Sequence, residues 1–128
     1  MEFNLREGLD WTEEITVMDK DTAAKYASGS VNVFATPAMV ALMECASKNC
    51  VDKFLPEGFS TVGIKISTSH IKATPVNMKV VCQAVLEKIE DKKLFFKVTA
   101  WDEEGKIGEG THERYIINIE DFIKKVNR

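Results

Sequence analysis

The segment from Thr36 to Phe54 constrains the fold of this chain more than any other part of the sequence. Thr36 followed by Pro37 is a typical helix start, because the hydroxyl can cap exposed backbone N–H groups and proline fits the first turn. Pro56 and Gly58 mark its end. Its first half is apolar on every side, which is typical of a helix buried all round. In a chain of 128 residues this predicts a sheet curled around one helix.

Alternating apolar residues in the rest of the chain predict the strands of that sheet. A strand over Leu9–Met18 comes before the helix, followed by a short helix over Asp19–Ala27. Four strands come after the long helix, the last over Ile107–Ile119, where Gly108 and Gly110 could introduce a bulge. A C-terminal helix is predicted over residues 120–126. The predicted inward residues of the other three strands are Val62, Ile64, Ile66, Thr68 and His70, then Met78, Val80, Cys82, Ala84 and Leu86, then Leu94, Phe96, Val98 and Ala100.

The order is thus a strand, a long helix and four strands with tight connections, which predicts consecutive hairpins. The predicted fold is α+β, a hot-dog fold in which a mostly antiparallel five-stranded sheet wraps around one long central helix. Residues 1–128 are predicted to form a single domain. Because such a sheet has edges and leaves the helix incompletely covered, we expect a homodimer or a higher homo-oligomer.

Composition excludes several classes of partner. A net charge of −3 and a pI near 5.4 give no basic surface for nucleic acid. No apolar run approaches the roughly 20 residues of a membrane helix, and the start MEFNLREG has no signal-peptide pattern. Three cysteines cannot all pair, so free thiols in the cytoplasm are expected. The two histidines stand far apart, which argues against a structural zinc site.

Glu44 is the only charged residue between Lys25 and Lys48. It lies in a helix whose surroundings are predicted to be dry. Burying an unpaired carboxylate costs several kcal/mol or raises its pKa by up to about 3–5 units. The carboxylate therefore pairs with a neighbouring donor, reaches a solvent pocket at an interface, or takes part in chemistry.

Two further side chains could join Glu44. His70 is either a hydrogen-bonded core residue or an acid–base partner of the carboxylate. Thr36 is either a helix cap or, at the N-terminus of the helix, a hydrogen-bond donor to an oxyanion. Eight residues separate Thr36 from Glu44, about 12 Å of helix. Either His70 lies between them or a partner subunit supplies one of them.

Three motifs in order, VFATPAMVALME, VGIKISTSHIKATP and IGEGTHER, resemble the acyl-CoA thioesterases related to fluoroacetyl-CoA thioesterase, within the hot-dog superfamily. The resemblance covers about residues 33–122. It implies that Thr36, Glu44 and His70 act together in catalysis and that Gly63 lines the acyl pocket. Arg114 of the THER motif falls on a family position, as a CoA contact or as a surface or interface salt bridge.

The resemblance implies hydrolysis of an acyl-CoA thioester to a carboxylic acid and free CoA, without a metal or redox cofactor. The fluoroacetyl-specific enzyme has aromatic lid residues before the VFAT motif, whereas residues 26–32 here contain no Phe. We therefore expect general acyl-CoA hydrolysis. Phe34 and Met39, with Val40 and Met43, are candidates for the acyl pocket or for plain core.

The predicted mechanism leaves several roles open. Glu44 activates water or attacks the thioester directly, and His70 shuttles protons. Thr36 hydrogen-bonds the substrate, the carboxylate or an acyl intermediate, or is itself the nucleophile. The competing hypothesis is a non-catalytic, regulatory module that binds acyl-CoA. A hot-dog hydratase is less favoured, because the sequence has no suitable Asp-x-x-x-x-His pair.

Overall fold

The described residues form five strands of one antiparallel sheet. The computed structural model describes residues 3–128. Met1 and Glu2, the first two residues of the MEFNLREG segment, lie outside the described residues. The elements in chain order are β1 (Asp10–Thr16), a 3₁₀ turn (Asp19–Asp21), α1 (Ala23–Tyr26), α2 (Thr36–Asp52), β2 (Phe59–His70), β3 (Lys79–Glu90), β4 (Lys93–Asp102), β5 (Gly105–Asn118) and α3 (Ile119–Val126). The strands follow the order β1-β3-β4-β5-β2 in the sheet. The sheet curves around helix α2, as the α+β hot-dog prediction requires.

The core lies between α2 and the concave face of the sheet. In β3 and β4 the alternation predicted from the sequence is confirmed, since the inward residues of the two strands are buried and their neighbours are more exposed. β1 alternates in the same way between partly buried and exposed residues. The helix contributes the following buried residues: Ala38, Met39, Leu42, Met43, Ala46, Ser47, Cys50 and Val51. All three cysteines are free, as expected.

Strand β2 departs from the predicted alternation. Its register against β5 shifts between Gly63 and Lys65, so Ile64 is an inserted bulge residue. Ile64 is 49% exposed, and Thr61 and Gly63 face inward in place of Val62. The predictions that Val62 and Ile64 face inward are therefore wrong. A bulge moves every residue on one side of it to the opposite face. Gly63 therefore faces the helix before the bulge, and His70 lies on the partly buried face after it.

The connection from β2 to β3 is not the predicted tight turn. β2 lies at one edge of the sheet beside β5, whereas β3 lies beside β1 near the other edge, so residues 71–78 cross the sheet. The crossing segment is held to the chain just before α2, because the Phe34 N–H donates to the Thr74 carbonyl at 2.9 Å. Val33 and Pro75 form an isolated β-bridge beside it. This contact fixes the start of α2 against the end of β2.

Helix α2 is not enclosed on all sides within the chain. Pro37, Ala41 and Cys45 are exposed, and Val40 and Glu44 are only partly buried. These residues recur at helical spacing, so they form one open stripe, which we call the open face of α2. The prediction of a helix buried all round is therefore wrong for the single chain. The apolar character of this stripe is instead typical of a surface that another chain covers.

The bulge predicted from the glycines of β5 is confirmed by a register shift against β4 near Ala100. A Cβ at Gly108 would lie 2.6 Å from the Met39 sulfur and 2.8 Å from the Ser69 carbonyl oxygen. Glycine at position 108 therefore leaves room for the Met39 side chain and for the Ser69 backbone of β2. The predicted C-terminal helix is α3, which begins one residue earlier and is capped by the Asn118 side chain.

Candidate active site

The Thr36 hydroxyl oxygen lies 2.7 Å from Nδ1 of His70. It does not cap α2, because Ala35 occupies the cap position and no side chain makes a capping bond there. The predicted capping role is therefore wrong, and the hydroxyl is exposed next to an imidazole. Burial lowers the pKa of His70 below its ordinary value, which favours the neutral ring at pH 7. Its Nε2 atom is buried and has no hydrogen-bond partner among the described residues.

A cavity of about 290 Å³ opens beside this pair and is lined by residues of the loop before α2 and of the β2–β3 crossing segment. Phe34 lines it and packs edge-on against the His70 ring, with the centroids 6.3 Å apart. Only 1% of the Phe34 surface is exposed. Met39 is completely buried against Gly108, so it belongs to the core.

Glu44 is more accessible than the sequence suggested. Its side chain is 44% exposed, and one carboxylate oxygen lies 4.0 Å from Nη1 of Arg114. The expectation of a dry, unpaired carboxylate is wrong for the single chain, because the open face of α2 leaves Glu44 at the surface. Gly63 lies directly beside it, since a Cβ there would be 3.2 Å from Oε2 of Glu44. Both residues line a second cavity of about 290 Å³, together with Ile64, Lys65, Ile66 and His112.

Arg114 is almost fully buried behind Glu44. Its Nε donates to the Thr61 hydroxyl at 2.7 Å, and its Nη2 donates to the Thr61 carbonyl at 2.9 Å. Only 7% of the side chain is exposed, so the ion pair suits this residue better than a contact with CoA. Burial lowers the pKa of Arg114, while the nearby Glu44 charge opposes that shift.

His112 is a site residue that the sequence analysis missed. It is 2% exposed and lies behind Gly63, next to the guanidinium of Arg114. Burial lowers its pKa, and the hydrogen bond to the Lys65 carbonyl opposes that shift. The THER motif contained the signal, because residues 112 and 114 are two apart on a strand and therefore share its inward face.

The candidate site residues lie at two separate cavities of the described structure rather than at a single one. We call each cavity, with the candidate residues that line it, a half-site. Thr36 and His70 line one cavity, Glu44 and Gly63 line the other, and no residue lines both. The expected pairing of Glu44 with His70 is absent from the contacts described within one chain. The imidazole beside Glu44 is that of His112 instead. Helix α2 connects the half-sites, with Thr36 at its start and Glu44 about 12 Å further along.

Residues 3–128 contain no group of three or more His, Cys, Asp or Glu side chains placed to bind a metal ion. In the same part of the chain, none of the helices combines the length and apolar character needed to cross a bilayer.

Comparison with known proteins agrees with the fold. A five-stranded antiparallel sheet around one long helix is the architecture of the hot-dog fold. A family model for fluoroacetyl-CoA-specific thioesterases matches residues 17–120. The chain therefore belongs to the fluoroacetyl-CoA-specific thioesterase family, and it is an acyl-CoA thioesterase.

Individual relatives support this assignment. The fluoroacetyl-CoA thioesterase of Streptantibioticus cattleyicolor is 40% identical over 96 residues, which cover 75% of this chain and 69% of that protein. A crystal structure of a mutant of the fluoroacetyl-CoA-specific thioesterase FlK superposes with a TM-score of 0.91 at 33% identity, covering 98% of both chains. A thioesterase superfamily member from Thermus thermophilus gives a TM-score of 0.89 at 30% identity, covering 96% of this chain and 91% of that one.

Proposed function

We propose that the protein hydrolyses acyl-CoA at a composite site in which Glu44 of one subunit faces Thr36 and His70 of another. The observation that carries this proposal is the separation of the two half-sites within one chain. Each half-site has part of the chemistry of a thioester hydrolase. Glu44 offers an accessible carboxylate, and the other half-site offers a hydroxyl fixed by an imidazole.

A twofold arrangement accounts for the open surfaces of the chain. β2 is an edge strand of 12 residues with one unpaired side, and the open face of α2 lies next to it. If β2 pairs antiparallel with the same strand of a second copy, an axis between Ile66 and Ser67 brings Gly63 of one subunit opposite the partner subunit's His70. Because Glu44 lies beside Gly63, its carboxylate then approaches the partner's Thr36–His70 pair.

The reaction follows from these groups. Glu44 accepts a proton from water, and the oxygen of that water attacks the thioester carbonyl carbon. The Thr36 hydroxyl donates a hydrogen bond to the oxygen that becomes negatively charged, and His70 holds the hydroxyl in place. The carbon–sulfur bond then breaks, and the CoA thiolate takes the proton from Glu44. The products are a carboxylic acid and free CoA.

The substrate of the Streptantibioticus cattleyicolor relative is fluoroacetyl-CoA by its name. For this chain we propose acyl-CoA substrates without a requirement for fluorine, since residues 26–32 contribute no Phe to a lid. A thiol-release assay over fluoroacetyl, short, branched, aromatic and long acyl-CoAs tests this. A strong preference for fluoroacetyl-CoA over acetyl-CoA would contradict it, and binding without CoA release would indicate the non-catalytic module.

Subunit complementation tests the composite site. The Glu44→Gln and His70→Ala chains are each expected to be nearly inactive. The two variants are mixed in equal amounts, unfolded and then refolded together. A mixed dimer then contains one site with both residues intact, so the mixture recovers about one quarter of wild-type activity. Each variant refolded alone is the control. Absence of recovery, with mixed dimers demonstrated by mass spectrometry, would place each complete site within one chain.

A further inference from the structure

The hydrogen bonds of His112 determine its tautomer. Nδ1 lies 2.8 Å from the Lys65 carbonyl oxygen, which can only accept a hydrogen bond. Nε2 lies 3.1 Å from Nη1 of Arg114, which can only donate. His112 is therefore a neutral ring that carries its proton on Nδ1 and accepts from the guanidinium through Nε2. Burial, which lowers its pKa, favours the same neutral state.

The guanidinium of Arg114 is held along both of its edges. Thr61 accepts from Nε through its hydroxyl and from Nη2 through its carbonyl. His112 accepts from Nη1, the same nitrogen that lies 4.0 Å from the Glu44 carboxylate. These three acceptors therefore fix the plane of the guanidinium, with its Nη1 atom on the side of Glu44. All of these partners belong to β2 or β5, so the arrangement is built on rigid strands.

The charged end of Glu44 has few other restraints. It lies on the open face of α2, its side chain is 44% exposed, and Arg114 is the cation within ion-pair distance of it in the described structure. In the described structure the guanidinium is therefore the charged group placed to orient this carboxylate. Proton abstraction from water is sensitive to that position, because displacement of a catalytic group by about 1 Å can reduce the rate by up to about 100-fold.

We infer that His112 and Thr61 are positioning residues for the reaction, which align Arg114 so that its Nη1 holds the Glu44 carboxylate toward the substrate. This inference rests on the proposed function of Glu44 as the base. Both residues are buried, and their side chains bind the guanidinium rather than the carboxylate. Their proposed effect on turnover is transmitted through Arg114 to Glu44.

A double-mutant cycle tests the inference. His112→Leu removes the acceptor for Nη1 and is expected to lower kcat about tenfold with little change in KM. His112→Gln offers an amide oxygen in the same region and is expected to recover most of that loss. In a Glu44→Gln background, His112→Leu is expected to cause no further loss, because its effect passes through Glu44. An equal loss in both backgrounds would show that His112 only supports the fold.

A second pair of variants covers the case in which His112→Leu does not fold. Thr61→Val has almost the same shape but cannot accept from Nε of Arg114, whereas Thr61→Ser keeps the hydroxyl. We expect a severalfold lower kcat for Thr61→Val, near wild-type turnover for Thr61→Ser, and no effect of either in the Glu44→Gln background. Equal turnover for both variants would overturn the inference. Wild-type turnover of Glu44→Gln itself would instead reject the proposed function.

Discussion

Thr36 and His70 are 34 positions apart, yet the hydroxyl of one lies 2.7 Å from Nδ1 of the other. Thr36 is the first residue of α2, and His70 is the last residue of β2. Their contact therefore depends on how the ends of these two elements meet. The bond between Phe34 N–H and the Thr74 carbonyl fixes that meeting point, so the crossing segment between β2 and β3 supports the candidate site directly.

Removal of the Thr36 hydroxyl is expected to reduce turnover strongly. Thr36→Val keeps the shape of the side chain but cannot hydrogen-bond to the substrate oxygen, which predicts a loss of about 10²–10³-fold in kcat. Thr36→Ser is the matched control and is expected to retain most of the activity. Steady-state thiol release from acyl-CoA measures both. Similar activity in the two variants would show that the hydroxyl takes no part in the reaction.

Glu44→Gln is expected to lower kcat by about 10²–10⁴-fold, because the amide cannot accept a proton from water. The side chain is nearly isosteric and half-exposed, so we expect little change in the thermal midpoint of unfolding. Glu87→Gln, on the exposed part of β3, is the control for loss of one negative charge. If turnover in Glu44→Gln equals that of the control, Glu44 is not the base.

A charged residue on the open face of α2 is expected to prevent assembly. Ala41 is exposed in the single chain, and the proposed dimer covers it. Ala41→Arg is therefore expected to give a monomer by light scattering and to lose most activity, since each proposed site needs two subunits. Glu87→Arg introduces the same residue away from this face and is expected to remain dimeric and active. A wild-type protein that is itself monomeric and active would contradict the dimer.

The fold was predictable because most strands show a clear period of two. The inward residues of β3 and β4 are apolar without interruption, so one register buries all of them. The inward face of β2 was not predictable, because Val62 and Ile64 continue the apolar pattern of Ile66 while the bulge places them outward. A bulge depends on the pairing of two strands and leaves little trace in one of them.

The candidate site was predictable in part. Thr36 and His70 do lie together, but the accessible position of Glu44 was not foreseen. An apolar helix face predicts that a surface covers it, but the sequence does not show whether that surface belongs to the same chain or to another chain. The spacing of His112 and Arg114 in the THER motif indicated a shared strand face. Their hydrogen bonds to each other and to Thr61 could be recognised only from the structure.

Two glycine substitutions are expected to separate activity from stability. A Cβ at Gly63 would lie 3.1–3.4 Å from His112, Glu44 and Arg114 side-chain atoms. Gly63→Ala therefore displaces the groups around the carboxylate and is expected to lower kcat/KM about tenfold with modest destabilisation. Gly108→Ala instead forces a Cβ against Met39 and the backbone, which predicts a loss of about 1–3 kcal/mol of unfolding free energy. Urea titration and thiol release measure the two effects.

The two histidines predict a loss of stability in mild acid. Burial lowers the pKa of both His70 and His112 in the folded protein, whereas in the unfolded chain each is expected near the ordinary value of about 6.5. As the pH falls through that value, the unfolded chain binds protons that the folded protein does not. Acid therefore favours the unfolded state, and the free energy of unfolding decreases as the pH falls from about 7.5 toward 5.

Urea titrations at a series of pH values measure this dependence. His112→Gln is expected to reduce the slope, because an amide does not titrate, and His70→Asn is expected to reduce it independently. The double variant then has the flattest profile between about pH 5 and 7.5. An unchanged slope in all three variants would mean that neither histidine has a lowered pKa in the folded protein. In that case the neutral tautomer assigned to His112 would depend on its hydrogen bonds alone.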